Sequence, residues 1–443
     1  MQLKLELASK NIHKENLKNF LKITVDVSDE KRKLKTGTKP VFLIPVIDRS
    51  GSMSSAASRN NRNVMPIYHQ TTLNFSTSVI RSTSSSDFYS KLDCAKNATC
   101  ELLDLLEDGD KLAIVSFDDS ITVEQKPIVI NEGARKEIKN NIDKIYAGGC
   151  TNISDALITA HRLFSKADME KYNCKIVLLS DGCANVGFSK EEQFIPLMTE
   201  ILNHNISTST IGLGDDYDLG VMDTISSNCA GSFHHISDAN AIKDIFVSEL
   251  RKTQAIVCQN AVLDVLLPDM VAFKPNFNNY TENIQKDKIT IQLGNLYSNK
   301  AIYYEFSLLD DSIKEVIVGA KLTYGDDASN GDFISVSKKV LVVDNKNDIV
   351  ENEAIIDEFV SIVKDKYVYD AAKSISCNDM AWAAQSYASS VSTMDSLVTA
   401  YNCCDSSSLE DMKSISASIS STSMTQDSLR NTFSTVSKKL RNS

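Results

Sequence analysis

The stretch VFLIPVIDRSGS, at residues 41–52, joins an apolar run to a cluster of oxygen-bearing side chains. A continuously apolar run such as residues 41–47 is typical of a parallel strand that is buried on both faces. Asp48, Ser50 and Ser52 follow it directly in a D-x-S-x-S arrangement. Open α/β sheets bind their ligands at the carboxyl ends of the strands. We therefore expect a binding site where this strand ends.

The surrounding sequence, up to about residue 250, alternates short apolar runs with amphipathic helical stretches. This alternation predicts a doubly wound, Rossmann-like α/β domain, with a parallel sheet covered by helices on both faces. Pro45 lacks the N–H that a strand ladder uses, so we expect a bulge or an offset register there. Residues 54–88 are long for a βα loop and are predicted to be an insertion. The predicted strands are residues 41–47, 111–117, 121–127, 174–180, 206–213 and 232–236.

The flanking segments have a different pattern. Residues 256–344 contain strand-like runs separated by turn residues, which predicts a β-sandwich domain. Residues 1–36 have the same character, and we expect their strands to belong to that sandwich. The α/β domain, residues 37–252, is then inserted in the sandwich or followed by it. Residues 346–443 are predicted to form a helical C-terminal region with a Ser-rich tail.

Bulk properties exclude some classes of partner. The 443-residue chain carries a formal charge of −11 without a dense Lys/Arg block, so we expect no nucleic-acid partner. No run approaches the roughly 18 apolar residues of a membrane span. The ten cysteines include no C-x-x-C pair, which favours reduced and mostly buried thiols. The first residues lack the apolar core of a secretory signal. We therefore expect a cytoplasmic protein with no membrane partner.

Two more segments place oxygen-bearing side chains at predicted loops. Thr151 lies in the sequence GGCTN just before a predicted helix, and Asp181 follows the apolar run IVLLS. Each has a structural alternative, since Thr151 could be a helix N-cap and Asp181 a turn residue. However, a doubly wound sheet gathers such loops along one edge. The five side chains Asp48, Ser50, Ser52, Thr151 and Asp181 are therefore predicted to form one site.

The donor types predict the ion. Hydroxyl and carboxylate oxygens without His or Cys suit a hard cation, Mg²⁺ first, with Mn²⁺ and Ca²⁺ as alternatives. Two carboxylates at most neutralise such an ion, which leaves it electrophilic. An Asp or Glu carboxylate of a protein partner would be a natural further ligand.

The segments DRSGS, GGCTN and LSDG resemble the metal-ion-dependent adhesion site of von Willebrand factor type A domains. The resemblance extends to KLAIVSFDDS, SDALITAHRLF, SDGCANVG and STIGLGDDYD, and it covers about residues 37–252. The chain also resembles intracellular and bacterial members that have a flanking β-domain and a helical C-terminal region. The resemblance implies that Ser50, Ser52 and Thr151 contact the metal, while Asp48 and Asp181 bind it directly or through water. It implies metal-dependent protein–protein interaction rather than catalysis.

Other functions fit the sequence less well. Phosphoester hydrolases that use a strand-end Asp as nucleophile carry D-x-D, whereas position 50 here is serine, so the second carboxylate is missing. A dinucleotide site at Gly212 and Gly214 lacks its third glycine. A scaffold with a vestigial metal site stays open as an alternative. We expect a protein that is not an enzyme.

Two pairs of titratable residues are left outside the predicted site. His234 and His235 lie near a strand end, where adjacent side chains point to opposite faces, so a surface or hydrogen-bonded pair is expected. Asp118 and Asp119 follow a predicted strand and are interpreted as turn residues.

Overall fold

The computed structural model describes residues 1–28, 39–57, 89–325, 332–376, 380–400, 410, 412–414, 416 and 426–442. Most of the predicted insertion, at residues 58–88, and much of the Ser-rich tail lie outside the described residues. Within the described residues, the chain forms three β-sheets, helices that cover both faces of one of them, and further helices in the C-terminal part.

The strands fall into three sheets, of which the central one is six-stranded with the order β6-β5-β4-β7-β8-β9. In chain order the strands are β1 (Gln2–Leu7), β2 (Asn11–His13), β3 (Lys18–Asp26), β4 (Val41–Asp48), β5 (Lys111–Phe117), β6 (Ile121–Val129), β7 (Asn173–Ser180), β8 (Ile206–Leu213), β9 (Phe233–Ile236), β10 (Cys258–Leu266), β11 (Val271–Phe273), β12 (Glu282–Ile284), β13 (Lys288–Leu296), β14 (Lys300–Leu308), β15 (Glu315–Tyr324) and β16 (Asp332–Val343). The central sheet is parallel except for β6, which pairs antiparallel with β5.

Helices cover both faces of the central sheet, as the alternating pattern predicts. Apolar side chains on the two faces form separate buried clusters, one around Phe42 and Leu157 and the other around Leu43 and Leu102. The longer helices are α1 (Lys91–Leu105), α2 (Glu132–Asp143), α3 (Ile153–Arg162), α4 (Lys166–Lys171), α5 (Glu191–Asn203), α6 (Leu219–Ser227), α7 (Ile242–Gln254), α8 (Glu353–Ser376), α9 (Met380–Ala400) and α10 (Gln426–Asn442). The doubly wound α/β class is therefore confirmed.

The prediction of a bulge or an offset register at Pro45 is wrong. Strand β4 stays in register with β7 through this residue, with Pro45 opposite Val177. On the other side, the ladder to β5 pairs Leu43 with Leu112 and resumes at Val46 with the same offset. The missing N–H is therefore accommodated by a local interruption of the β4–β5 ladder, and no extra residue is needed.

The N-terminal strands belong to the same sheets as strands that follow the α/β part. One sheet has the order β1-β3-β14-β11, and the other has the order β12-β13-β10-β15-β16-β2. The first is antiparallel throughout, whereas in the second the edge strand β2 pairs parallel with β16. Because the α/β part lies between β3 and β10 in the chain, it is inserted between strands of the other two sheets.

Two of the C-terminal helices, α8 and α10, pack against the α/β part. Phe433 of α10 is fully buried, with its ring 4.6 Å from that of Tyr369 on α8 and 5.9 Å from that of Phe233 on β9. Such aromatic clusters bury a large apolar area per residue. Among the helices that are described, none is long and apolar enough to cross a membrane.

Candidate metal centre

Backbone hydrogen bonds hold three loops together at the carboxyl edge of the central sheet. Gly51 N–H donates to the carbonyl of Gly149 at 3.1 Å, and Gly148 N–H donates to the carbonyl of Arg49 at 2.7 Å. Asn152 N–H donates to the carbonyl of Asp118 at 2.9 Å. The loops that follow β4 and β5 and the segment that precedes α3 are thereby fixed relative to one another.

Asp48 ends β4 and is fully buried. Its Oδ1 accepts a 2.7 Å hydrogen bond from the backbone N–H of Ser50, and its Oδ2 accepts one from the hydroxyl of Ser180. Burial raises the pKa of the Asp48 carboxyl to about 6, against the opposing effect of the hydrogen bonds from Ser180 and Ser50. A carboxylate in this environment gains from a nearby positive charge.

Ser50, Ser52 and Asp181 form a chain of hydrogen bonds beside Asp48. The hydroxyl oxygens of Ser50 and Ser52 are 3.0 Å apart, and the Ser52 hydroxyl donates to Oδ1 of Asp181 at 2.6 Å. Ser50 and Asp181 are buried, whereas Ser52 is exposed. The cluster therefore reaches solvent at Ser52.

Thr151 lies against the loop that follows β7. Its backbone N–H donates to Oδ1 of Asn185 at 2.8 Å. A Cβ on Gly182 would lie 3.2 Å from Thr151 Oγ1 and 3.9 Å from Ser52 Oγ, so both hydroxyls border the backbone next to Asp181. The N-cap alternative for Thr151 is wrong, because the side chain of Asn152 caps α3 by accepting from the N–H of Asp155. The structure thus brings all five predicted side chains to one edge.

Sequence reasoning missed three neighbours of this cluster. The ammonium of Lys91 donates to Oδ2 of Asp181 at 2.7 Å, while Ser180 and Asn185 anchor Asp48 and Thr151. Ser180 and Asn185 lie within a few residues of Asp181 and could have been sought there. Lys91 follows the predicted insertion, and no local pattern in the sequence connects it with Asp181.

The residues that were left outside the predicted site have other contacts. Asp118 accepts from Ser120 N–H at 2.8 Å and lies 3.3 Å from the Arg49 guanidinium, so it braces the loops. His234 contacts Glu249 at 2.9 Å, and His235 contacts the Tyr217 hydroxyl at 2.8 Å. The expectation that both histidines are hydrogen-bonded is confirmed, although both rings are buried rather than at the surface.

The donor set fits a hard divalent cation. It consists of hydroxyl and carboxylate oxygens, and both of its carboxylates, those of Asp48 and Asp181, are fully buried. Burying two negative charges together is costly unless positive charge compensates them. In the part of the chain that the structure describes, Lys91 is the cationic side chain seen to contact them. One ammonium leaves one negative charge, so the electrostatics favour an additional cation.

Comparisons with known proteins agree with this geometry. The family model described as von Willebrand factor type A domain matches residues 43–184. Inter-alpha-trypsin inhibitor heavy chain H3 from Mus musculus is 25% identical over 189 residues, which are 40% of this chain and 21% of that protein. The chain spans less than two thirds of the curated relatives it matches, for example 58% of one and 21% of this heavy chain.

Solved structures extend the likeness to nearly the whole chain. A von Willebrand factor type A protein from Catenulispora acidiphila has a TM-score of 0.66 at 13% identity, covering 90% of this chain and 87% of that one. The ArnB paralog VWA2 from Sulfolobus acidocaldarius has a TM-score of 0.59 at 14% identity, covering 99% and 98%. At these identities the likeness concerns the fold. Together with the family match and the loops described above, it shows that this chain contains a von Willebrand factor type A domain, which the family model matches over residues 43–184.

Proposed function

We propose that this protein is a metal-dependent protein–protein interaction module. Asp48, Ser50, Ser52, Thr151 and Asp181 hold Mg²⁺, with Mn²⁺ and Ca²⁺ as alternatives, and the ion binds an Asp or Glu side chain of a partner. The observation that carries the proposal is the convergence of hard oxygens from three loops on one buried cluster that reaches solvent at Ser52. Domains of this family commonly act as protein-interaction modules.

Charge arithmetic supports an acidic partner. The carboxylates of Asp48 and Asp181 carry two negative charges, which balance those of a divalent ion. The nearby ammonium of Lys91 then adds one positive charge. A centre with this balance attracts an anionic ligand, and a carboxylate oxygen is a donor that hard cations accept. The chemistry that the metal supplies is electrostatic attraction at a solvent-facing position.

We propose a binding role rather than a catalytic one. The position two residues after Asp48 holds Ser50, so a second strand-end carboxylate is lacking there. The scaffold alternative gains one argument from the structure, since the Lys91 ammonium already supplies part of the charge that a metal would supply at Asp181. A metal-binding measurement separates the metal-dependent binding role from the scaffold role.

The test combines calorimetry with partner capture. Isothermal titration with Mg²⁺ should show binding to the wild-type chain and a loss of at least about tenfold in affinity for Ser50→Ala, because a direct ligand is removed. The matched control is Ser55→Ala, an exposed serine of the same loop. Proteins captured in Mg²⁺ should be lost both in EDTA and with Ser50→Ala. Absence of Mg²⁺ binding by wild type would support the scaffold reading instead.

We also propose a domain division and a location. Residues 37–252 form the type A domain with the insertion at 54–88, residues 1–36 and 256–344 form the β-sandwich, and residues 346–443 form the helical region. A cytoplasmic location is supported by free thiols in the interior, such as those of Cys94, Cys174 and Cys229. Limited proteolysis, with mass mapping of the stable fragments, tests the division.

A further inference from the structure

A second group of potential metal ligands lies at the opposite edge of the central sheet. His161, in the last turn of α3, faces Glu200 and His204 at the end of α5. One ligand atom from each of these three residues lies within 4.8 Å of the others. Nε2 of His161 and Nδ1 of His204 are 2.8 Å apart. None of these residues belongs to the oxygen cluster described above.

We propose that His161, Glu200 and His204 form a zinc site that fastens α3 to α5. Two imidazole nitrogens and one carboxylate oxygen are a donor set that Zn²⁺ binds, at about 2.0–2.2 Å per bond. Ligand atoms in a tetrahedral zinc site are then roughly 3.3 Å apart. The group needs only small side-chain adjustments to reach that spacing, since its ligand atoms already lie within 4.8 Å.

The local structure favours a cation at this point. Glu200 and His204 are separated by one helical turn, so both side chains lie on the same face of α5. His204 is the C-terminal cap of α5, where the helix dipole carries partial negative charge. Its backbone N–H donates to the carbonyls of Glu200 and Ile201, which holds the end of the helix in place. Glu200 and His204 are exposed and His161 is partly buried, so an ion can reach the group from solvent.

The hydrogen bond between the two histidines is compatible with the binding of a metal ion in its place. At 2.8 Å, the N–H of one ring donates a hydrogen bond that the unprotonated nitrogen of the other ring accepts. When Zn²⁺ enters, this N–H proton moves to the outer nitrogen of the same ring, and both inner nitrogens become ligands. Each neutral imidazole keeps one N–H, so no proton needs to be released. The carboxylate of Glu200 binds in its ionised form.

This group is independent of the candidate Mg²⁺ centre. Helix α3 starts next to Thr151, and His161 lies eight residues beyond its first residue, Ile153, which is roughly 12 Å along the helix axis. His204 precedes β8 at its amino end, whereas Asp181 follows the carboxyl end of β7. The donor chemistry differs as well, since imidazole favours Zn²⁺ over Mg²⁺. The two sites should therefore select different ions.

The test is a Zn²⁺ titration of the full-length chain in a large excess of Mg²⁺, which keeps the oxygen cluster occupied. Wild type should bind one more zinc ion than His204→Ala and than His161→Asn. Glu200→Gln should weaken binding by at least about tenfold. Glu192→Gln, an exposed carboxylate elsewhere on α5, is the matched control and should bind as wild type does.

Two further readouts separate this site from zinc bound by thiols. Co²⁺ in the wild-type chain should give the visible absorption of a nitrogen and oxygen site, without thiolate charge-transfer bands, and His204→Ala should abolish it. Zinc should shift the melting temperature of wild type upward and leave that of His204→Ala unchanged. Equal zinc stoichiometry in wild type and in both histidine variants would overturn the proposal. So would a Co²⁺ spectrum dominated by thiolate bands.

Discussion

The ammonium of Lys91 lies 2.7 Å from Oδ2 of Asp181 and ion-pairs with it where both side chains are shielded from solvent. Lys91 is the first residue of α1, and Asp181 follows β7. The candidate metal centre therefore includes a cation that belongs to the chain itself. This ammonium competes with a metal ion for the carboxylate of Asp181.

Replacing Lys91 should strengthen Mg²⁺ binding. In Lys91→Met the ammonium no longer competes for Asp181 or repels the incoming ion. A hydrogen bond to a charged group is worth about 1.5 kcal/mol or more, so we expect an increase of roughly tenfold in Mg²⁺ affinity. Isothermal titration measures it.

The control for this change is Lys96→Met on the same helix. The Lys96 ammonium donates to the carbonyls of Asp143 and Ile145, away from the metal centre. Its replacement should leave Mg²⁺ affinity unchanged. If Lys91→Met binds Mg²⁺ no better than this control, competition by the ammonium is refuted.

Gly212 should not tolerate a methyl group. A Cβ at this position would lie 2.3 Å from the Tyr217 ring, which is buried and covered by the guanidinium of Arg430 at 4.3 Å from its centroid. Gly212→Ala should lower the free energy of unfolding by about 1–3 kcal/mol. Gly148→Ala is the comparison, since a Cβ there meets nothing within 4 Å. Denaturant titration should show little change for Gly148→Ala. An equal loss of unfolding free energy in the two variants would rule out the clash with the Tyr217 ring as its cause.

Asp223 should couple α6 to two C-terminal helices. The hydroxyl of Tyr369 on α8 donates to it at 2.5 Å and that of Ser437 on α10 at 2.9 Å, and all three residues are buried. Tyr369→Phe should cost about 1–2 kcal/mol of unfolding free energy in the wild type and less in an Asp223→Ala background. Denaturation of the single and double variants measures the coupling. Simple additivity of the two changes would argue against a shared interaction.

Acid should destabilise the protein through His234 and Glu249. Burial lowers the pKa of His234 to about 4 from 6.5, only partly offset by the hydrogen bond to Glu249. The unfolded chain therefore binds this proton more tightly, and stability is lost as pH falls from about 6.5 to about 4. Burial alone would raise the pKa of Glu249, but Lys175 and His234 hold it well below its usual range. Its contribution is lost in the same direction at lower pH.

The variant His234→Gln tests this pH dependence. Its amide can donate to Glu249 without titrating, so the slope of unfolding free energy between about pH 6.5 and 4 should fall by up to roughly 1.4 kcal/mol per pH unit. His13→Gln, a change at a buried histidine of strand β2, is the control. Denaturation curves collected across this range measure the slope. An unchanged slope in His234→Gln would rule out His234 as its source.

Local sequence was enough to predict the α/β class and the members of the oxygen cluster. Apolar runs and helical periodicity are properties of a few neighbouring residues, and the carboxyl ends of parallel strands necessarily meet at one edge. Sequence alone could therefore bring together the segments that hold Asp48, Thr151 and Asp181. The bulge at Pro45 was predicted wrongly, because whether a ladder interrupts or bulges depends on the partner strands.

Tertiary structure alone decided which distant side chains meet. Lys91 and Asp181 are 90 residues apart, and their contact depends on how α1 packs beside the sheet. Glu200 and His204 have helical spacing that is readable in the sequence, but His161 joins them only because α3 and α5 contact each other. Periodicity and turn chemistry are encoded within one element. Contacts between elements are instead set by the packing of the whole core, which no short stretch of sequence specifies.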